Sequence, residues 1–435
     1  MKKPGILLIS YYWPPSAGSG VQRWLKMSYF LQEMGWQVHV LCPENPDFHL
    51  RDPKLLADIH PDIQVHPLPI REPYQLWRRL RGQKGGDAAA VLEEKNHGLL
   101  GRAALFIRAN LFIPDPRVSW VQAASAKGTA LVKAEGIQAL ISTGPPHSMH
   151  LIARRIKAQT QAYWLADFRD PWTQWEFLQQ LPMLPFARRK HARLELAVCR
   201  EADRVCTISP TFQQELQARV GRPVSLLTNG FDPRDFPASL YTPADVKPGR
   251  PIRIVYTGII DAIRNPFPFL EALLALSQAP EAPRFQVYFV GKVSAALRDF
   301  LEAHPALAAT VHLVGYVAHE EVFQYYAQAD LLLLILTQSA NAKGNIPGKL
   351  FEYMATGRPV LALGDPKGDS AELLRAAGAG KVFLHSQSTE IQGFLRDFSP
   401  QAIRPLSESL NAYSRKALAR KVSDWLREGL PAKEN

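Results

Sequence analysis

Cysteine is nearly missing from this 435-residue chain, which has only Cys42, Cys199 and Cys206. So small and odd a number excludes a disulfide framework, and no pair has the C-x-x-C spacing of a zinc ribbon. Thiols without partners point to a reducing, cytoplasmic setting. Long apolar runs are missing too. The longest, Leu331–Leu336, falls far short of the roughly 18–20 residues of a membrane span. The apolar start Gly5–Ile9 runs into Tyr11-Tyr12-Trp13-Pro14-Pro15, too soon for the about 7–15 apolar residues of a secretion signal, and it reads as a first strand. Acid is short as well: Asp plus Glu is 40 against 51 for Lys plus Arg, a formal charge of +11. What is abundant is hydrophobic residue, at 46% with 21% charged. That balance excludes a disordered chain and allows two or three domains.

The dominant pattern is a repeated strand–helix alternation. Gly5–Ser10 is followed by a Pro/Gly/Ser loop, a helical pattern over Val21–Met34 and a second strand at Trp36–Leu41. Strand patterns return at Ala139–Ser142, Ala162–Ala166, Arg204–Ile208 and Val224–Leu227, with helices at His147–Lys157 and Thr211–Val220. Residues 233–251 are rich in Pro, Asp and Gly and read as a linker. The rhythm then restarts with strands at Ile252–Tyr256, Phe285–Val290, Val311–Leu313, Leu331–Leu336, Pro359–Leu363 and Lys381–Leu384. Such alternation predicts α/β folding, two doubly wound Rossmann-like domains that bind ligands beyond the carboxyl ends of their strands. The expected division is 1–232, linker 233–251, 252–410, and a last helix within 411–435 that packs back on the first domain.

The strongest chemical signal runs from Pro347 to Val360. Lys349 falls in the first turn of a helix, where the dipole disfavours a cation unless an anion is held there too. Glu352, three residues on, shares its face. The pair is either a surface ion pair or a site in which Lys349 holds a phosphate and Glu352 a ribose. A second helix start repeats the logic: Thr257-Gly258, then Arg264, with Asn265 as N-cap and Pro266 as first helical residue. Gly18 and Gly20 precede the first helix and would let a phosphate or an acceptor approach the backbone, or form a plain turn. The loop is a poor dinucleotide fingerprint, because Arg23 stands at the third glycine, although Glu44 keeps a dehydrogenase reading open. Asp167, Arg169 and Asp170 sit just past a strand end, as site residues or as caps. His147 and His150 open a helix, as an acceptor or sugar contact, a metal pair short of a third ligand, or a cap.

These motifs together resemble the GT-B glycosyltransferases, and the Lys349–Glu352 segment resembles that of glycosyltransferase family four. Ala355-Thr356-Gly357-Arg358-Pro359-Val360 matches the family's small-Gly-basic-Pro-Val run. Asn229-Gly230-Phe231-Asp232 matches its hinge motif, and Gly18-Ser19-Gly20-Val21-Gln22-Arg23 its glycine loop. The resemblance implies GT-B architecture, with two Rossmann-like domains facing across a cleft, and sugar transfer from a UDP- or GDP-linked donor to a hydroxyl, with retention and without a metal or other cofactor. The Asp-x-Asp metal clamp of the other major glycosyltransferase fold is absent. It assigns Gly258, Arg264, Lys349 and Glu352 to the donor nucleotide, Gly18 and Gly20 to phosphate or acceptor, Asp167, Arg169 and Asp170 to catalysis and His147 to sugar or acceptor. The sequence departs from the family at Gly344, where the first of a Glu-x7-Glu pair is expected, at Ile259, where a basic residue is common, and at 166–172, where a histidine is usual. The rival readings are a nucleotide-sugar epimerase and a non-catalytic nucleotide- or sugar-binding protein of the same fold.

Residues 71–120 break the rhythm with basic, amphipathic segments. Arg71, Arg78, Arg79, Arg81 and Lys84 stand with Trp77 and Leu80, and Arg102, Arg108 and Arg117 with Leu105, Ile107, Leu111, Phe112 and Trp120. They are expected to meet an anionic inner-membrane surface and a lipid-linked acceptor of surface polysaccharide or glycolipid synthesis, or to pack on the first domain with solvated arginines. Nucleic acid is not an expected partner, since no binding module accompanies the charge.

Overall fold

The computed structural model describes residues 3–46, 48, 50–72, 99–237, 240, 249–279, 281–400 and 408–430. The chain divides into two units, Met1–Thr228 with Arg415–Asn435, and Asn229–Ser414. Each is built on one parallel sheet.

The sheet of unit 1 runs β1 (Gly5–Ile9), β2 (Gln37–Pro43), β3 (Gln64–Leu68), β4 (Ile137–Gly144), β5 (Tyr163–Phe168), β6 (Arg204–Thr207) and β7 (Ser225–Leu226), in the order β3-β2-β1-β4-β5-β6-β7. Its helices are α1 (Ser19–Glu33), α2 (Leu99–Leu111), α3 (Val121–Glu135), α4 (Ser148–Thr160), α5 (Pro185–Glu201) and α6 (Pro210–Val220). Side chains alternate across a strand, so β1 feeds two cores. Leu7 and Ile9 join α3, α4 and α5, while Ile6 and Leu8 join α1. Burial on both faces is why the strands read as apolar runs and not as alternating ones.

Unit 2 has β8 (Ile252–Thr257), β9 (Phe285–Val290), β10 (Val311–Gly315), β11 (Leu331–Ile335), β12 (Val360–Leu363) and β13 (Gly380–Phe383), in the order β10-β9-β8-β11-β12-β13. Helices α7 (Phe267–Ser277), α8 (Ala295–Ala303), α9 (His319–Gln328), α10 (Gly348–Ala355), α11 (Asp369–Ala376) and α12 (Ser388–Arg396) cover it. The all-aliphatic β11 again splits by parity. Leu331, Leu333 and Ile335 pack with α7 and α12, and Leu332 and Leu334 with α9 and α10. The last helix, α13 (Arg415–Gly429), belongs to unit 1. Its Leu418, Val422 and Leu426 enter the core on the α1 side, and Trp36 Nε1 donates to Ser423 Oγ at 2.8 Å.

Several local expectations change. Strand β3 was not apparent from the sequence, because it is a half-exposed edge strand with Pro67 inside it. Asn265 does not cap α7; Pro266 occupies the cap position, and Asn265 Nδ2 turns back to the Ala262 carbonyl. Asn229–Asp232 lie in unit 2, where Phe231 N–H donates to the Tyr413 carbonyl at 3.2 Å. Of the linker read over 233–251, residues 238–239 and 241–248 lie outside the described residues, as do Trp77, Arg78, Arg79, Leu80, Arg81 and Lys84. Trp120, read as part of a surface segment, is buried in the first core.

Candidate functional site

In both sheets the strand order reverses beside the first strand, between β1 and β4 and between β8 and β11. Crevices at such switch points are where doubly wound sheets take ligands.

At the switch point of unit 2, β8 ends on Thr257 and Gly258, and α10 opens beside it. Lys349, in the first turn of α10, points back at the strand end. Its Nζ donates to the Thr257 carbonyl at 2.6 Å and lies 4.2 Å from the Tyr256 ring centroid. Gly258 has φ +128°, and a Cβ there would fall 2.6 Å from Lys349 Nζ. Glycine is therefore required twice, for its backbone and for the approach of the amine. Burial, and then the charge of Arg264, lower the Lys349 pKa to about 7, although Glu352 and Asp261 oppose the shift.

Arg264 is set by Asp261. The carboxylate accepts from the backbone N–H of Ile263 (3.2 Å) and Arg264 (2.9 Å), and pairs with the Arg264 guanidinium at 2.9 Å. Arg264 Nε is buried and has no hydrogen-bond partner. Glu352, one turn along α10, accepts from the Tyr326 hydroxyl at 3.1 Å and lies 3.5 Å from His319 Nε2 at the start of α9. Tyr326 and Tyr353 both bond to Thr257 Oγ1, at 3.0 and 3.1 Å, tying α9 and α10 to the strand end. The four expected nucleotide residues, Gly258, Arg264, Lys349 and Glu352, thus share one end of one sheet. Arg358 of the Gly-basic-Pro run is structural: it is buried, and its guanidinium donates to the carbonyls of Ala327, Ala329 and Leu240. Gly344 is buried in a short turn, Ala342–Gly344.

Unit 1 separates its candidates. Asp167 is fully buried and fully engaged. Arg23 grips both of its oxygens, at 2.8 and 3.0 Å, Trp24 Nε1 donates at 2.7 Å and Thr143 Oγ1 at 3.0 Å. Enclosure alone would raise its pKa, but Arg23 and these donors hold it below the usual value. Asp167 is therefore not available to substrate; it fastens β5 to α1, and Arg23 continues to the carbonyls of Leu227 and Thr228. Arg169 is a strap as well, donating to the carbonyls of Gly20 (3.0 Å) and Pro145. Gly20 is the anchor of that strap, and a Cβ there would crowd Tyr12 and Arg169 at 3.1 and 3.2 Å. Gly18 is exposed at φ +98° with open space around it. His147 is 6% exposed and stacked 4.6 Å from Trp172, so it lines the interior and not a contact surface. Burial, His150, His191 and Arg169 keep it neutral, with its pKa well below normal. Asp170 is half-buried where Asp167 is fully buried, and burial raises its pKa against the pull of Arg169. Among the described residues no three His, Cys, Asp or Glu side chains converge as metal ligands would.

Residues 251–394, which carry the whole Gly258–Glu352 constellation, match the family model described as Glycosyl transferases group 1. Unit 2 holds a group 1 glycosyltransferase domain. Solved structures extend the likeness over nearly the whole chain. Sucrose-phosphate synthase from Thermosynechococcus elongatus is 16% identical, with 98% of this chain and 99% of that chain covered and a TM-score of 0.65. A UDP-N-acetylglucosamine 2-epimerase is 15% identical (100% and 99% covered, TM-score 0.54), and WaaG, a glycosyltransferase involved in lipopolysaccharide biosynthesis, is 15% identical (98% and 96%, TM-score 0.52). At these identities the likeness is one of fold, and the fold is GT-B, two Rossmann-like units in one chain. No curated protein matches the sequence.

Three residues of the glycosyltransferase domain escaped sequence reasoning. His319 and Tyr326 act on Glu352 from α9, and Asp261 acts on Arg264 from the same loop. Only Asp261, three residues before Arg264, left a signal, as an Asx turn ahead of a helix.

Proposed function

We propose that the second unit binds the nucleoside diphosphate of a nucleotide-sugar, with Lys349 and Arg264 on the diphosphate and Glu352 on the ribose hydroxyls, and that the protein transfers the sugar to a hydroxyl acceptor. The observation that carries this reading is the convergence of two cations and one carboxylate at the switch point of the second sheet, inside the segment that matches the family model. A diphosphate leaving group gains negative charge as the glycosidic bond breaks. Cations and a helix N-terminus already in place stabilise that charge without reorganising. The reaction proposed is a retaining one through an oxocarbenium-like transition state, with Lys349 and Arg264 supplying positive charge to the leaving diphosphate. Asp170 is the carboxylate proposed to meet the acceptor, since Asp167 is locked by Arg23. A surface glycolipid or polysaccharide precursor is the acceptor class we favour.

Calorimetric titration with UDP and GDP tests the binding step. One of them should bind, and Lys349→Ala should weaken it by about 1.5–3 kcal/mol, the range for a hydrogen bond to a charged group. Glu352→Ala should weaken the diphosphates but not inorganic pyrophosphate, which has no ribose. Absence of binding, or equal binding by wild type and Lys349→Ala, contradicts the assignment.

A further inference from the structure

Helix α2 carries apolar residues outward. Phe106, Ile107 and Leu111 are 43%, 47% and 67% exposed. With Arg102 and Ala103 they form one exposed stripe, while Ala109 and Asn110 form the buried side. A surface helix normally turns its apolar stripe to the core. A second segment continues the patch: Leu184 and Phe186, 41% and 48% exposed, lie at the start of α5. Asn110 locks the two segments together. Its amide donates to the carbonyls of Phe106 (2.8 Å) and Pro182 (3.0 Å), and its oxygen accepts from the Leu184 N–H at 2.8 Å. Of the ten exposed large hydrophobics among the described residues, five therefore lie on two adjoining segments, which marks a site and not scatter. Basic side chains flank it. Arg102 lies on the α2 stripe, and Arg188, Arg189, Lys190 and Arg193 are exposed on the first turns of α5, where the first acid is the buried Glu195.

We propose that this face of unit 1 docks on an anionic lipid surface, with Phe106, Ile107, Leu111, Leu184 and Phe186 entering the headgroup boundary and the α5 cations meeting lipid phosphates. Charge selects this occupant. A second copy of the same face would set these cations against their own kind, and nucleic acid would have no use for the aliphatic stripe. A lipid interface takes both halves, since apolar side chains sink about 5–10 Å while arginine and lysine stay with the phosphates. The surface belongs to unit 1 and the nucleotide residues to unit 2, so the inference stands or falls apart from sugar transfer.

The test is co-sedimentation of the full chain with vesicles of about 30 mol% phosphatidylglycerol in phosphatidylcholine, and with phosphatidylcholine alone. Binding should need the anionic lipid and fall as salt rises from about 0.1 to 0.5 M. The triple variants F106S/I107S/L111S and R188E/R189E/K190E should each lower vesicle affinity by about tenfold or more, while the circular dichroism spectrum and a cooperative melt at the wild-type Tm certify the fold. Equal recovery on both vesicle types, or wild-type affinity in either triple variant, overturns the proposal. So does a lipid-free dimer that F106S/I107S/L111S dissolves, which would make the face a self-interface. Deletion of residues 73–98 abolishing binding while both triple variants retain it would move the contact elsewhere and overturn it too.

Discussion

Nucleotide binding should take up a proton at Lys349. The free side chain has a pKa of about 7, lowered from 10.5 by burial and by Arg264. At pH 8 only about a tenth of it is charged, and at pH 7 about half. A diphosphate beside Nζ favours the ammonium and raises that pKa, so binding at pH 8 should absorb about 0.9 proton. Affinity is therefore constant below about pH 7 as far as Lys349 is concerned, and falls toward tenfold per pH unit above it. Calorimetry in buffers of different ionisation enthalpy reads the uptake directly. Lys349→Arg stays charged throughout and should flatten the profile between pH 7 and 9. The same shift costs stability. The unfolded chain binds the proton up to about pH 10.5 and the folded chain only to about 7, so stability rises with pH through that window. A shift of that size corresponds to at most about 5 kcal/mol at neutral pH. Lys349→Met should therefore raise Tm at pH 7 while abolishing diphosphate binding. Wild-type affinity independent of pH between 7 and 9, or the same slope in Lys349→Arg, would show that Lys349 takes up no proton on binding.

The two aspartates past β5 should behave as opposites. Asp167→Asn leaves the Arg23 guanidinium buried without its counter-charge and should lower stability by about 3–5 kcal/mol in a denaturant melt. Asp170→Asn should leave the melt unchanged and lower the transfer rate by about a hundredfold in a turnover assay. Gly258→Ala puts a methyl 2.6 Å from Lys349 Nζ at a φ of +128°; it should cost about 1–3 kcal/mol of stability and displace the amine, so diphosphate affinity falls with Tm.

The parallel sheets were legible in the sequence because strands buried on both faces are continuous apolar runs, Leu331–Ile335 most plainly. Strand β3 was not, since an edge strand with a proline in it carries neither an apolar run nor clean alternation. Lys349 and Glu352 could be paired from spacing alone, because three residues on a helix share a face. His319 touches the same carboxylate from 33 positions away, and nothing local announces that contact. Asp167 and Asp170 look equivalent in the sequence. Their difference is that Asp167 is still within β5, facing Arg23 of α1, while Asp170 lies in the loop beyond. The amphipathic character of 99–120 was legible, but not its direction. Trp120 turns inward, whereas Phe106, Ile107 and Leu111 turn outward.

The central claim, that a nucleotide-sugar is spent on an acceptor, is tested most directly by nucleoside diphosphate release from a panel of UDP- and GDP-sugars, with and without a membrane-lipid extract as acceptor source. Wild-type protein should release nucleoside diphosphate from one donor, much faster with acceptor, and Lys349→Ala and Glu352→Ala should not. A donor consumed or isomerised equally well without acceptor would make the protein an epimerase or hydrolase, and no release from any donor that the protein binds would leave a binding protein without transfer.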